Sequence, residues 1–355
     1  MTLLVTEGRA GIPGQASRVE KHWAELVEQF QILGGRLDNV RPGYGPRGRG
    51  LFAQDAGRPV TIHVPENLLV PDQDVEFCQG VLRIKASSTL GWAEREFFEA
   101  YAREISWGGG GREEAERLIQ GLQALPERAR LLLGNRFGLS PCLRTWSDEL
   151  AQRQFIESRA IHYQVYQKTV LMPFLELVNH GWSGDYVHHD GIGLTGIFED
   201  EILVPYTQGD AWRFFRSWGF AEPSTEAHSL RTELPGLLVR RRLKSGQALN
   251  VKGLGSLWIP SVSYESDVVV LSFATLGNRL APRTPRAVFR KLMESAGLDS
   301  IDETFDRVRR INFLTFLELL GTLDSANGEV AVRLRTAVRY QLQALAECFG
   351  SRSLA

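Results

Sequence analysis

The chain is predicted to be an α+β protein, with short strands interrupted by a helical insertion and followed by a mainly helical C-terminal domain. Three observations lead there. Between Gly35 and Val70 the apolar runs GRGLFA and VTIHVP are separated by Gly and Pro, the texture of short strands joined by tight turns. From about Ser87 to Leu150 the apolar residues of WAEREFFEAYAREI and REEAERLIQGLQAL recur at helical spacing. From Thr284 onward the pattern is helical throughout.

Ahead of the first strands, Ser17 and Glu20 form a capping box before Val19, Trp23, Leu26, Val27 and Phe30, whose helical spacing stops at Gly34-Gly35. Inside the insertion, Gly108–Gly111 reads as a flexible loop. A further helix is expected over Gln154–Lys168. LMPFLELVNHG, a polar stretch with His188-His189-Asp190, the strand-like EILVPY and the aromatic helix DAWRFFRSWGF come next, and Glu222-Pro223 ends that region. LLVRRRL, SLWIP and DVVVLSFATL read as later strands. Thr284 as N-cap with Pro285 at the first helical position opens a helix that stops near Gly297. Helices over roughly Asp302–Leu320 and Glu329–Phe349 complete a small bundle. The expected division is a domain over 1–225 with its insertion at about 85–150, a β-rich connection over 226–280 and a helical domain over 281–355.

Composition narrows the function. At 355 residues the chain exceeds one ordinary domain of about 100–200 residues, and 43% hydrophobic with 23% charged residues leaves no room for a dominant disordered tract. Lys and Arg number 41 against 42 Asp and Glu, so the net charge of -1 supplies no field toward nucleic acid or an anionic membrane, and neither partner is expected. The three cysteines, Cys78, Cys142 and Cys348, show no zinc-ligand spacing and read as the reduced thiols of a cytoplasmic protein. The opening residues lack the length and basic flank of a signal peptide. No run approaches the roughly 18 apolar residues of a membrane helix.

Four pieces carry the chemistry. They are Gly48-Arg49-Gly50-Leu51-Phe52-Ala53, then Ser158-Arg159-Ala160-Ile161, then the run Met172–His180 (MPFLELVNH), and finally the run Asp200–Tyr206 (DEILVPY) followed by Trp218-Gly219-Phe220. In this order they resemble the SET-domain methyltransferases, especially the branch of Rubisco large-subunit methyltransferase and its actin-histidine and ribosomal-protein relatives. The pieces are similar to that family's GRGLFA-like turn, its SRAF helix, its P-x-x-D-x-x-N-H motif, and its E-E-I-x-I-x-Y and YGF motifs. The likeness spans about Gly35 to Pro223 and implies a knotted SET-domain β fold that binds S-adenosylmethionine. It further implies cofactor contacts from Gly48, Arg49, Gly50, Arg159, Asn179 and His180. Tyr206 would lie nearest the transferred methyl, and Phe52, Trp218 and Phe220 would line the acceptor pocket. The implied acceptor is a protein lysine, with histidine or a small-molecule amine as alternatives, and no metal is implied.

These residue types suit that chemistry. Glycine lets backbone N–H groups approach a ligand closely, and Asn179 offers a donor and an acceptor to a zwitterion. Methyl transfer from a sulfonium needs alignment and water exclusion more than acid–base catalysis. A tyrosine hydroxyl can orient the nitrogen and meet the polarised methyl through weak C–H···O contacts. Desolvation in an aromatic pocket lowers the pKa of an amine before attack. Three positions depart from the family pattern: Glu176 replaces the aspartate, Ala211 stands for the asparagine before the YGF helix, and Trp218 replaces its tyrosine. Trp218 suggests a different substrate or number of methyls.

Other readings are open at this point. Gly191–Gly196 spells GxGxxG, but polar residues precede it and a strand follows, so a dinucleotide site is not expected. His188, His189 and Asp190, with His180, have the composition of a two-His-one-carboxylate metal site, yet neighbours on an extended segment face opposite ways. A SET-like module without turnover, acting as a binding protein, is a further alternative.

Overall fold

The computed structural model describes residues 13–139, 147–163, 165, 167–206, 209–236, 249–250, 261–265, 268–297 and 300–346; Cys142, Cys348 and the runs LLVRRRL and SLWIP lie outside them. Leu26 and Phe30 bury one face of α1 (Pro13–Ile32), with Trp23 and Val27 beside them. Because Pro13 already has the φ of a first helical turn, α1 opens there, and Ser17 lies inside the helix instead of capping it. Seven short strands follow: β1 (Arg36–Asp38), β2 (Val40–Gly45), β3 (Gly48–Ala53), β4 (Pro59–Pro65), β5 (Val70–Pro71), β6 (Val75–Cys78) and β7 (Val81–Ile84). Four helices come next: α2 (Trp92–Glu104), α3 (Arg112–Gln123), α4 (Glu127–Phe137) and α5 (Asp148–Arg159). Then come β8 (Ile161–Tyr163), β9 (Lys168–Leu171), β10 (Asn179–His180), β11 (Tyr186–Val187), β12 (Gly191–Ile197) and β13 (Leu203–Val204). The remainder comprises α6 (Ala211–Trp218), β14 (Glu226–His228), β15 (Thr232–Leu234), β16 (Leu249–Asn250), β17 (Ser261–Glu265), β18 (Val268–Ser272), β19 (Thr275–Asn278), α7 (Thr284–Ala296), α8 (Ile301–Thr322) and α9 (Glu329–Ala346). The architecture is α+β, β-rich in its N-terminal and central parts, with helical insertions and a mainly helical C-terminal part.

Other expectations about local structure are corrected as well. The helix expected to reach Lys168 ends at Arg159, because Ile161 and Tyr163 pair antiparallel with β9 and the tertiary ladder overrides helical spacing. Gly108–Gly111 is no flexible loop. It is a packed kink between α2 and α3 with Gly109–Gly111 buried. Only glycine fits there: Gly110 has φ +123°, and a Cβ on Gly109 would stand 2.7 Å from the Glu104 carbonyl oxygen.

Internal packing divides the chain into two units, Met1–Arg117 with Ser147–Tyr206, and Leu118–Trp146 with Thr207–Ala355. In the first, a sheet of order β1-β4-β12-β11 and a sheet of order β5-β9-β8 are accompanied by the hairpins β2-β3 and β6-β7 and the parallel pair β10-β13. Its core joins Phe30, Ile62, Val64, Tyr101, Ile192 and Leu194 around Phe174. That ring meets Trp23, Phe30 and Tyr101 at centroid distances of 5.0 Å each, contacts that hold Phe174 at φ +64°.

The second unit has its own core. Phe137 meets Trp212 at 4.7 Å and Phe316 at 5.1 Å, and α6, α8 and α9 pack around a sheet of order β15-β18-β17-β16 and the pair β14-β19. Thr284, the expected cap, is already helical in α7, with Arg283 at the cap position, and Gly297 at φ +70° ends that helix. Among the described residues no helix is long and apolar enough to cross a membrane.

Candidate functional site

Two remote segments meet at β3. Its residues are buried from Arg49 to Ala53, so it reads as a continuous apolar run instead of an alternating one. The Ala53 N–H donates to the Asp200 carbonyl and the Ile202 N–H to the Leu51 carbonyl, both at 2.8 Å. On the other side of that same segment, β13 pairs in parallel with β10, and the Gly181 N–H donates to the Val204 carbonyl at 3.0 Å. Backbone pairing thus brings Arg49, Asn179-His180 and Tyr206 to one place.

Asn179 donates its Nδ2 to the Arg49 carbonyl at 3.0 Å and to Glu201 Oε1 at 2.8 Å. This approach depends on Gly50, because a Cβ there would stand 2.6 Å from Asn179 Nδ2. The other oxygen of Glu201 accepts from Arg47 at 3.0 Å, and the Glu201 side chain is buried. An amide, a carboxylate, a guanidinium and a backbone carbonyl therefore share one small polar spot beside the turn of the β2-β3 hairpin.

His180 and Tyr206 lie beside it, their rings 5.3 Å apart. The Tyr206 N–H donates to His180 Nδ1 at 3.1 Å, so the ring carries its proton on Nε2. Burial, helped by the positive Arg47, pushes the His180 pKa down to about 4, and the ring is neutral at physiological pH. The Tyr206 hydroxyl donates to the Val178 carbonyl at 2.8 Å. Burial raises its pKa to about 12 against the opposing pull of Arg159, so it stays protonated.

Arg49 and Arg159 enter from β3 and the end of α5. The Arg49 side chain turns inward, donating to the carbonyls of Ile105, of Ser106 at 3.2 Å and of Gly109 at 3.0 Å. It thereby satisfies the orphan carbonyls at the end of α2 and holds the glycine turn. Arg159 donates to the Glu176 carbonyl at 2.8 Å and to Glu114 Oε2 at 2.5 Å. The Glu176 carboxylate accepts from the hydroxyls of Tyr101, at 3.0 Å, and Ser106. Burial raises its pKa, opposed by Arg159 and by those two hydrogen bonds. The methylene that separates Glu176 from an aspartate spans the gap to α2.

Gly48, Arg49, Gly50, Arg159, Asn179, His180 and Tyr206 are thus joined by strand pairing and a chain of hydrogen bonds within the first unit. Phe52 belongs there too, but its ring packs over Gly43 and Gly45 of its own hairpin, under the Arg41 guanidinium at 5.1 Å. Trp218 and Phe220 fall in the second unit, where they gather with Phe214 at centroid distances of 5.7, 5.5 and 6.3 Å. Ala211 is the first helical residue of α6, and the cap is Asp210, whose Oδ1 accepts from the Arg213 N–H at 2.9 Å.

Gly191–Ile197 is a strand pairing with β4 and β11, not a strand-to-helix turn. His188, His189 and Asp190 are exposed, and among the described residues no three His, Cys, Asp or Glu converge as metal ligands. Sequence reasoning missed Tyr101, Ser106, Glu114 and Glu201. Glu201 stood within the run Asp200–Tyr206, while Glu114, in REEAERL, looks like one more carboxylate on a solvated helix face.

No protein-family model and no curated protein sequence matches the chain. Among solved structures it is similar to the SET domain of LSMT bound to lysine and AdoHcy, at 14% identity and TM-score 0.44 over 94% of this chain and 90% of that one. It is similar also to Rubisco LSMT bound to AdoMet, and to the same protein bound to sinefungin and monomethyllysine, each at 15% identity and TM-score 0.45 over 93% of this chain and 90% of that one.

Proposed function

We propose that the chain is a SET-type methyltransferase that moves a methyl group from S-adenosylmethionine to nitrogen, with a protein lysine as acceptor. The observation that supports this reading is the meeting of the Gly48–Gly50 strand, Asn179-His180, Arg159 and Tyr206 in one partly buried locus, although they are far apart in sequence. The donor set fits the amino-acid end of the cofactor. Arg159 suits a carboxylate, and the Asn179 amide beside the Glu201 carboxylate suits an ammonium. Bound there, the cofactor would supply an electrophilic methyl on sulfur.

The chain's own residues position and exclude water. Tyr206, protonated and anchored on the Val178 carbonyl, is no general base; its oxygen orients an acceptor nitrogen and meets polarised C–H groups. The acceptor amine loses its proton to solvent before it is aligned. His180 fixes the backbone of Tyr206 and, being neutral, adds no charge against a sulfonium. Trp218, in place of the family's tyrosine, suggests a different substrate or number of methyls, and the alternative acceptor is a histidine or a small amine. The cytoplasm fits the widely spaced cysteines.

Tyr206→Phe should lower turnover about 10–100-fold, the equivalent of one lost transition-state contact, and leave S-adenosylmethionine affinity nearly intact. Equal turnover in variant and parent, measured by methyl transfer to a lysate of the host, removes the assignment.

A further inference from the structure

We infer that Glu114 is the positioning residue for the carboxylate-binding arginine, a role that rests on the methyltransferase reading above. Glu114 sits in the first turn of α3, directly after the glycine turn. Its Oε2 lies 2.5 Å from Arg159 Nη2 and its Oε1 3.5 Å from Arg49 Nε. Two guanidinium groups, one from β3 and one from the end of α5, are therefore joined through a single carboxylate. Their other contacts described above are to backbone carbonyls, which carry no net charge. Burial pushes the Glu114 carboxyl up, but Arg49 and Arg159 outweigh it and hold the group below the usual carboxylate range, so it is ionised.

Charge and entropy give the residue its task. Two buried cations repel unless an anion lies between them, and a free arginine side chain holds rotamer entropy that a ligand must otherwise remove. Glu114 does both jobs before any ligand arrives. Arg49 is the more buried of the two, with 4% of its side chain exposed against 14% for Arg159, so Arg159 is the guanidinium that a ligand can reach, and Glu114 acts on it more strongly than the nearby Glu176. A second carboxylate arriving at Arg159 completes an alternating row of charges. Glu114 thereby ties the glycine turn, β3 and α5 to the same ligand group.

The test compares two ligands, S-adenosylhomocysteine, which carries the amino-acid carboxylate, and 5′-methylthioadenosine, which lacks it. Calorimetric titration of the full chain is run on the parent, Glu114→Gln and Glu114→Asp. Removing the charged partner leaves Arg159 unpositioned, so Glu114→Gln should lose at least about tenfold in affinity for S-adenosylhomocysteine and less than about twofold for 5′-methylthioadenosine. Glu114→Asp, which keeps the charge on a shorter arm, should fall between. In turnover assays Glu114→Gln should raise KM for S-adenosylmethionine more than it lowers kcat. Unchanged or tighter S-adenosylhomocysteine binding in Glu114→Gln overturns the inference, since Glu114 would then be idle or a competitor for Arg159. Equal weakening of both ligands in both variants also overturns it. A parent chain that binds neither ligand overturns the methyltransferase reading itself.

Discussion

Acid should weaken the protein through the single ring of His180. The ring is 6% exposed and accepts the Tyr206 N–H on Nδ1 at 3.1 Å, an arrangement that a proton on Nδ1 destroys. Burial, with Arg47 adding positive charge, lowers its pKa from 6.5 to about 4. In the unfolded chain the ordinary value returns. The folded state therefore resists a proton that the unfolded state accepts, and the stability present above pH 6.5 drains away as the pH falls toward about 4. The whole interval is worth roughly 3 kcal/mol, at up to about 1.4 kcal/mol per pH unit. Urea unfolding of the parent and of His180→Asn, whose amide oxygen can replace Nδ1 as acceptor, separates this ring from the carboxylates that titrate nearby. The stability difference between the two chains should shrink by about 3 kcal/mol from pH 7.5 to pH 4. Parallel pH profiles would show that the buried ring does not carry the cost assigned to it.

Two further outcomes follow from the geometry. His228 has the opposite sign: burial lowers its pKa, but its bond to Asp210 and the charges of Asp210 and Glu226 prevail and raise it. Its contribution is complete below the ordinary histidine pKa and is lost as pH rises through the raised folded value, so His228→Gln should destabilise more at pH 6 than at pH 9 in thermal melts. Gly50→Ala puts a Cβ 2.6 Å from Asn179 Nδ2 and 3.2 Å from Glu201 Oε1, which forces both side chains off their bonds. About 1–3 kcal/mol of stability should go, as in other overpacked sites, together with S-adenosylmethionine affinity measured by calorimetry.

What the sequence displays is what local chemistry writes into it. The strand character of GRGLFA and VTIHVP, the helices of the C-terminal bundle and the aromatic helix before Gly219 follow from apolar spacing and punctuation, and all are present. The end of α5 was less visible, because Ile161 and Tyr163 owe their conformation to β9, not to their neighbours. Gly108–Gly111 misled for a related reason: four glycines are as suited to a tightly packed turn as to a loose one, and only Arg49 and the end of α2 decide between them. Gly48–Gly50 and Asn179-His180 meet in the first unit through strands whose local character the pattern announces but whose pairing it does not, and Arg159 joins them from the end of α5. Glu114 stayed hidden since a charged residue on a helix says nothing of its partner across the fold, and Arg49 and Arg159 come from segments 65 and 45 residues away. Trp218 and Phe220 were placed by resemblance, and they belong to the second unit.

The most direct measurement is a calorimetric titration of S-adenosylmethionine into the purified chain and into Asn179→Ala. Saturable binding at one site, weakened at least about tenfold when the Asn179 amide is removed, is the expected result. A chain that takes up no S-adenosylmethionine, or one whose affinity is untouched by the loss of Asn179, would contradict the meeting of these residues around a single sulfonium ligand.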